Sequence, residues 1–438
     1  MTEQKKMKYK TKPLECWGKG KELLKELYLD YLHIKDRGGL RWCGSGWALD
    51  PLPYGLGDVA SLRGEPYGAV IAGTNPEFSV KCMEAHESRG FARDLCAYLR
   101  NYWGSMFLNK FYIDGKFYDF PKPDFCFTSS VCCTHAKWYQ QVAEYENVPY
   151  FAIDLSLGVG NNANDNMKEY IVNQCNSAID WMAKVTGRRY DDERLIEGVN
   201  IDCECTSLWT EICCLNKAVP APLDEKTMFS LYALIIISKV SKKILSFYKE
   251  LRDEVEDRVK NQIAAVGNEQ KRVLGDSQPP WSLLGIYRYM EKYGAVSLGS
   301  LYTFTLGGVM EVQKDGTLGP GLTPKQQGIE LKTREDALKF YADWCLRKSI
   351  WHQFYGPEEK SKLMLQMIKE WKADGVLMHL NRGCEGTSIG IMENYLALQE
   401  TGIPVVTYEG NMADARDCDR TKTYDRIDTF LEMLGLKE

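Results

Sequence analysis

Apolar and polar positions follow two periods along this chain, and the places where the period changes outline its elements. Residues 19–34 set Leu and Tyr among charges at helical spacing, and Arg37-Gly38-Gly39 breaks the pattern. The next stretch, RWCGSGWALDPLPYGLGD, is dense in Gly, Pro and Trp and reads as an ordered loop. Residues 67–72 (YGAVIA) form a short apolar run of the length of a buried strand. Helical spacing returns over 91–103, a stretch that carries Cys96, and Asp114-Gly115 predicts a hairpin. Phe125-Cys126-Phe127 reads as a strand, followed by a helix through 135–145 and a strand over 149–155. Residues 166–219 are helical throughout, and 228–266 form one or two long, surface-amphipathic helices. Apolar stretches broken by Gly over 281–310 predict strands; 336–347 and 360–372 are amphipathic helices. A strand over 374–380, a tight turn, a helix from Thr387 to Gly402, a strand at 404–408 and a helix over 422–434 complete the chain.

Strands alternating with helices imply βαβ units and parallel sheets. The expected fold is α/β: two flavodoxin- or Rossmann-like domains, each with its own apolar core, and an N-terminal helical extension. The divisions fall at 1–60, 61–220 and 221–438. Two places share one construction. In PDFCFTSSVCCTHAKWY a strand leads through small hydroxyl residues to Cys132, where a helix begins; in DGVLMHLNRGCEG a strand and a turn deliver Cys384 to a helix start. A thiolate at a strand's carboxyl end, facing a helix N-terminus, is well placed as an anion. In open α/β sheets that is also where ligands bind. The two cysteines lie 252 residues apart, which suits one site built between two domains.

Composition narrows the setting. The 438 residues carry a net charge of −5, so there is no global basic footprint for nucleic acid. The start, MTEQKKMKYKTK, has no apolar core of a signal peptide, and LYALIII is far shorter than the roughly 20 residues of a membrane span. A cytoplasmic protein with reduced thiols is expected. Its fifteen cysteines are odd in number and unevenly spaced, which argues against a disulfide framework. Most, including Cys16, Cys82, Cys175, Cys345 and Cys418, are expected as packing residues. Cys203, Cys205, Cys213 and Cys214 crowd a helical stretch, but Cys203 and Cys205 fall on nearly opposite sides, which disfavours a four-thiolate site. Cys126 and Cys133 read as structural, and Cys43 is left open. Cys96, Cys132 and Cys384 remain. Three thiolates can hold three irons of a [4Fe–4S] cluster and leave the fourth iron open.

The segments DLCAYLRNYWG, FTSSVCCTHAKWY and DGVLMHLNRGCEGTSIG, with the tail GIPVVTYEGNMADARD, occur in the order seen in the 2-hydroxyacyl-CoA dehydratase and benzoyl-CoA reductase superfamily. The chain resembles that superfamily from about Tyr67 to its end, and is most similar to the larger, B or O, cluster-bearing subunit of ATP-dependent benzoyl-CoA reductase. The resemblance implies cluster ligands at Cys96, Cys132 and Cys384. Asp and Gly often follow the second cysteine in the family; here Cys133 and Thr134 do, so Cys133 is an extra or alternative ligand in waiting. The resemblance further implies a smaller homologous cluster-bearing subunit as partner and a separate iron–sulfur ATPase as activator. Ferredoxin would be the electron donor, and the benzoyl-CoA ring would be reduced by alternating electrons and protons. The chain has no GxxxxGK[ST] motif, and Gly158-x-Gly160 lacks a third glycine, so ATP hydrolysis falls to another subunit.

His135, His379 and Glu409 are candidates for proton delivery, His379 equally for a satisfied strand-end residue. Arg382, Asp414 and Arg416 match family positions near the site; Arg382 and Arg416 are the candidate binding residues. Two other functions fit the same residues: a dehydratase subunit acting on 2-hydroxyacyl-CoA, or an electron-relay subunit.

Overall fold

The computed structural model describes residues 7–47, 49–155, 164–350 and 356–437. Gly158-x-Gly160 lies outside them. Two four-stranded parallel sheets organise the chain. The first contains β1 (Leu40–Gly44), β2 (Val59–Arg63), β3 (Phe125–Ser129) and β4 (Tyr150–Ile153) in the order β2-β1-β3-β4. The second contains β5 (Lys271–Asp276), β6 (Ala295–Ser300), β7 (Gly375–Asn381) and β8 (Val405–Gly410) in the order β6-β5-β7-β8. Numbered within each sheet, both orders are 2-1-3-4. The resemblance in plan between the halves therefore extends to strand order, the flavodoxin-like order whose ligand crevice lies between strands 1 and 3.

Several elements differ from expectation. Residues 67–72 belong to the helix Gly64–Thr74, with Tyr67, Gly68, Ala69, Ile71 and Ala72 buried. A short apolar run buried all round has no period to separate strand from helix. The Gly- and Trp-rich stretch supplies β1, and Pro51–Tyr54 is a single helical turn. Lys271–Asp276 was not anticipated as a strand, while 281–310 hold only one strand of the sheet beside the helices Gly285–Lys292 and Leu301–Thr305. Of the two helices in 228–266, Lys242–Lys260 is amphipathic, but Glu225–Ile237 is buried on nearly every side. The helix expected from Thr387 to Gly402 is interrupted at Gly390 (φ 70°), giving Glu385–Ser388 and Ile391–Gln399. The hairpin at Asp114-Gly115 forms, as do the helices Trp17–His33, Asp165–Thr186, Asp192–Leu215 and Arg420–Met433.

The halves do not keep separate cores. Trp42, Phe125 and Phe127, on one face of the first sheet, join Val273, Val296 and Met378 of the second in one continuous apolar cluster. The other face of the first sheet, with Cys43, Leu62 and Cys126, packs into a second cluster with Tyr67, Tyr102 and Trp138. Cys43 and Cys126 are register partners with sulfurs 3.2 Å apart, fully buried, which accounts for both as packing residues.

Beneath the second sheet, Glu225 is 1% exposed and shares a small enclosed cavity with Asp276, Ser297, Tyr287 and Tyr408. Burial pushes its carboxyl up to about 7, against the hydrogen bond from Ser297. An unfolded Glu titrates near ~4.3. The folded state holds this proton more tightly, so the contribution is full below that value and is lost as pH rises through 7. Glu225→Gln is therefore expected to gain stability over the natural chain at pH 8 and none at pH 4. Urea melts of both chains at the two pH values measure it.

Candidate functional site

Two turns at the carboxyl ends of strands and one helix start in a crossover position the cysteines. Cys132 caps the helix Cys133–Glu146 three residues after β3, and Cys384 caps Glu385–Ser388 three residues after β7. They stand at equivalent places, each after the third strand of its sheet. Cys96 was expected inside a helix; it instead caps the start of Ala97–Phe107, in the connection from β2 to β3. Thus all three thiols sit at helix N-termini, where the unpaired N–H groups and the dipole favour negative charge.

The turns meet. The Ala97 N–H donates to the Gly383 carbonyl at 3.0 Å, tying the start of the Cys96 helix to the residue before Cys384. Gly383 has no room for a side chain: an added Cβ would collide with the Asn411 amide and lie 3.1 Å from the Ala97 methyl. The Cys133 thiol faces the Glu385 carboxylate at 3.5 Å, so the positions after Cys132 and Cys384 touch as well. The Cys384 turn is internally braced. Asn381 accepts from the N–H groups of Gly383 (2.9 Å) and Met412 (3.0 Å), and Thr387 donates to the Gln278 side chain at 2.6 Å.

Burial pushes the Cys96 thiol well up, and charge on Cys384 and Cys132 pushes it further. The three thiols therefore belong to one electrostatic neighbourhood. Cys132 differs. Burial opposes its thiolate, but the charge and hydrogen bond of His135 outweigh burial and lower its pKa. His135 is 5% exposed, and burial alone would keep it neutral; Cys132 and Glu65 hold it protonated. Its Nε2 pairs with Glu65, and its ring stacks on Trp47 at 5.8 Å. Glu65 also accepts the Gly46 N–H at 3.0 Å.

The other expected residues lie at different depths. His379 is buried in β7, donates from Nδ1 to the Gln278 carbonyl (2.6 Å) and stacks on Tyr408 at 4.8 Å; burial lowers its pKa to about 4. Arg382 and Glu409 form an ion pair at 2.7 Å, each about two-thirds exposed. Arg416 is drawn into a different group, pairing with Glu87 and with the fully buried Asp414, which also holds buried Arg100. Cys203, Cys205 and Cys213 are fully buried along one helix, while Cys214 is half-buried and donates to the Leu318 carbonyl.

Glu65, Trp47, Tyr98 and Tyr302 escaped the sequence reading. The usable signal for Glu65 was Arg63-Gly64-Glu65-Pro66, a strand end running into a helix with an acid and a proline in its first turn. A strand over 67–72 would hide that signal.

Among the described residues no three His, Cys, Asp or Glu side chains converge on one ion. A cubane cluster takes one thiolate per iron corner, so its ligands stand apart where a single ion's would converge. Three soft, half-buried thiols at three helix starts fit such a cluster in donor type and in charge.

The fold is that of a parallel α/β protein with two four-stranded sheets and three thiols at helix starts. Residues 66–434 match the family described as 2-hydroxyglutaryl-CoA dehydratase, D-component, and the chain belongs to it. It is 24% identical to the (R)-2-hydroxyisocaproyl-CoA dehydratase alpha subunit of Clostridioides difficile, over 94% of each chain. It is also 24% identical to the (R)-phenyllactyl-CoA dehydratase alpha subunit of Clostridium sporogenes, over 93% of this chain and 92% of that one. The benzoyl-CoA reductase of Thauera aromatica has a subunit, designated B, that is 23% identical over 84% of this chain and 83% of its own. Among the described residues no helix is long and apolar enough to cross a membrane.

Proposed function

We propose that the chain is the catalytic iron–sulfur subunit of an (R)-2-hydroxyacyl-CoA dehydratase. The benzoyl-CoA reductase reading becomes the second choice, because the matching family model and most of the similar relatives are dehydratase proteins. One observation carries the cluster site: the Ala97–Gly383 and Cys133–Glu385 contacts join the turns that bear Cys96, Cys132 and Cys384. These three cysteines would hold the cluster, and Cys133 stays beside it as a neighbour of Glu385.

A bound [4Fe–4S] cluster supplies one-electron chemistry and an open coordination position for a thioester substrate. The chain's residues prepare the place. His135 favours the Cys132 thiolate, and Glu65 pairs with the imidazole at Nε2, the arrangement by which a carboxylate orients a histidine. Trp47 covers the imidazole face. Arg382, exposed and paired with Glu409, would meet an anionic part of a CoA ester. His379 serves the strand end, its Nδ1 committed to Gln278. A smaller homologous subunit, an ATP-hydrolysing activator and ferredoxin complete the system.

Anaerobic purification with these partners, iron and sulfide analysis, and parallel assays with (R)-2-hydroxyacyl-CoA and benzoyl-CoA test the reading. Cluster iron with turnover of the hydroxyacyl thioester is expected. Turnover of benzoyl-CoA alone would restore the reductase reading, and a chain without iron would end both.

A further inference from the structure

The phenol of Tyr302 has a place in this site that its sequence does not advertise. It lies two residues after β6, as Glu65 lies two residues after β2, so the two side chains hold equivalent positions in the two sheets. A capping box between Ser300 and Thr303 fixes the short helix that carries it. Its ring packs 5.2 Å from that of Tyr232, and Tyr98, Tyr232 and Tyr302 are all buried.

The hydroxyls have a direction. Trp281 donates from Nε1 to the Tyr98 oxygen at 2.6 Å, which leaves the Tyr98 proton for the Tyr302 oxygen beside it. The Tyr232 hydroxyl is buried with no partner in good hydrogen-bond geometry, and Tyr302 is the hydroxyl it faces. Tyr98 and Tyr232 are thus the hydroxyls beside the Tyr302 oxygen, and its own O–H remains for a ligand. The charged groups that act on it are Cys384 and Glu65. Burial pushes this phenol up, so it stays a proton donor across the physiological range.

We propose that Tyr302 is a further catalytic residue, donating a hydrogen bond to the carbonyl oxygen of the bound acyl thioester, with Tyr98 and Tyr232 as positioning residues. The inference rests on the thioester reading given above. An electron entering the thioester puts negative charge on that oxygen, and a donor fixed beforehand stabilises it at no reorganisation cost.

Tyr302→Phe removes only the hydroxyl. Iron and sulfide content and melting temperature are expected to match the natural enzyme. The kcat should fall about 100-fold, the range for losing one such donor, with KM nearly unchanged. Isotope-edited infrared spectra of the bound thioester should show its carbonyl stretch moving to higher frequency. Should Tyr302→Phe not fold, Tyr232→Phe carries the test, with a smaller fall in kcat and a smaller shift of the same band. An unchanged stretch with kcat within about twofold of the natural value overturns the proposal. If the natural enzyme itself holds no iron or binds no thioester, the functional reading fails and takes this inference with it. If it does both and the variants are silent, only the role of Tyr302 falls.

Discussion

Cys132→Ala is expected to abolish iron binding, while Cys213→Ala keeps it at the natural level. Both are cysteines near a second cysteine, and both sit on helical segments, so composition does not separate them. Position does. Cys132 is half-buried at a helix N-terminus, its thiolate favoured by His135, and its neighbourhood includes Cys96. Cys213 is fully buried within Asp192–Leu215, and burial pushes its thiol well up. It lies within the helix and not at one of the turns joined around Gly383 and Glu385. Replacing it costs packing, on the order of 1 kcal/mol for a lost core atom, and no iron. Cys96→Ala and Cys384→Ala should behave like Cys132→Ala. The apolar core runs through both sheets, so the iron-free variants should stay folded and lose only the stability that cluster binding adds. Iron and sulfide per chain, with melting temperature by circular dichroism, decide the matter. Equal iron in the Cys132 and Cys213 variants would remove Cys132 from the ligand set.

Asp414→Asn should destabilise the chain by about 3–5 kcal/mol, the usual cost of leaving a buried charge without its partner. Asp414 and Arg100 are both fully buried, 3.0 Å apart, and Arg100 comes from the helix that starts at Cys96. Among the described residues the Arg100 Nε and Nη1 have no partner, so the guanidinium depends on the Nη2 contacts to Asp414 and Glu87. Arg416 closes the group from above. The network fastens the segment after β8 to the first half of the chain, at the helix whose N-terminus touches Gly383. Burial raises the Asp414 pKa, but hydrogen bonds from Arg416 and the charge of Arg100 outweigh it and hold the carboxyl below its ordinary value. Its contribution is therefore full above the unfolded value, about 3.9, and is lost as pH falls through the lower folded value. Urea melts between pH 7 and pH 3 should show a steep acid limb for the natural chain and a shallower one for Asp414→Asn. A melting curve unchanged at pH 7 would show that water, rather than Asp414, meets the Arg100 charge.

Local patterning was enough for the long elements. The 3.6-residue period over Asp165–Thr186 and Lys242–Lys260, and the turn residues at Asp114-Gly115, dictate structure over distances shorter than the element itself. It was also enough for Cys132 and Cys384, because a strand, a small-residue turn and a helix start are all local signals. Buried short elements were different. β1, five residues in a Gly- and Trp-rich stretch, and the helix Gly64–Thr74, apolar on every side, carry no amphipathic period. What makes each a strand or a helix is the neighbour it packs against: β2 and β3 for the one, the Ala97–Phe107 helix for the other.

The assembly of the site belongs to tertiary structure alone. Tyr302 is one apolar-run residue among many until the second sheet repeats the strand order of the first and sets it at the place Glu65 holds there. Glu65 is an unremarked acid until β2 delivers it to His135. Each side chain's chemistry is written in its residue type, but a pKa or a ligand set depends on charges far away along the chain. Those are brought near only when the sheets twist, pack and share a core.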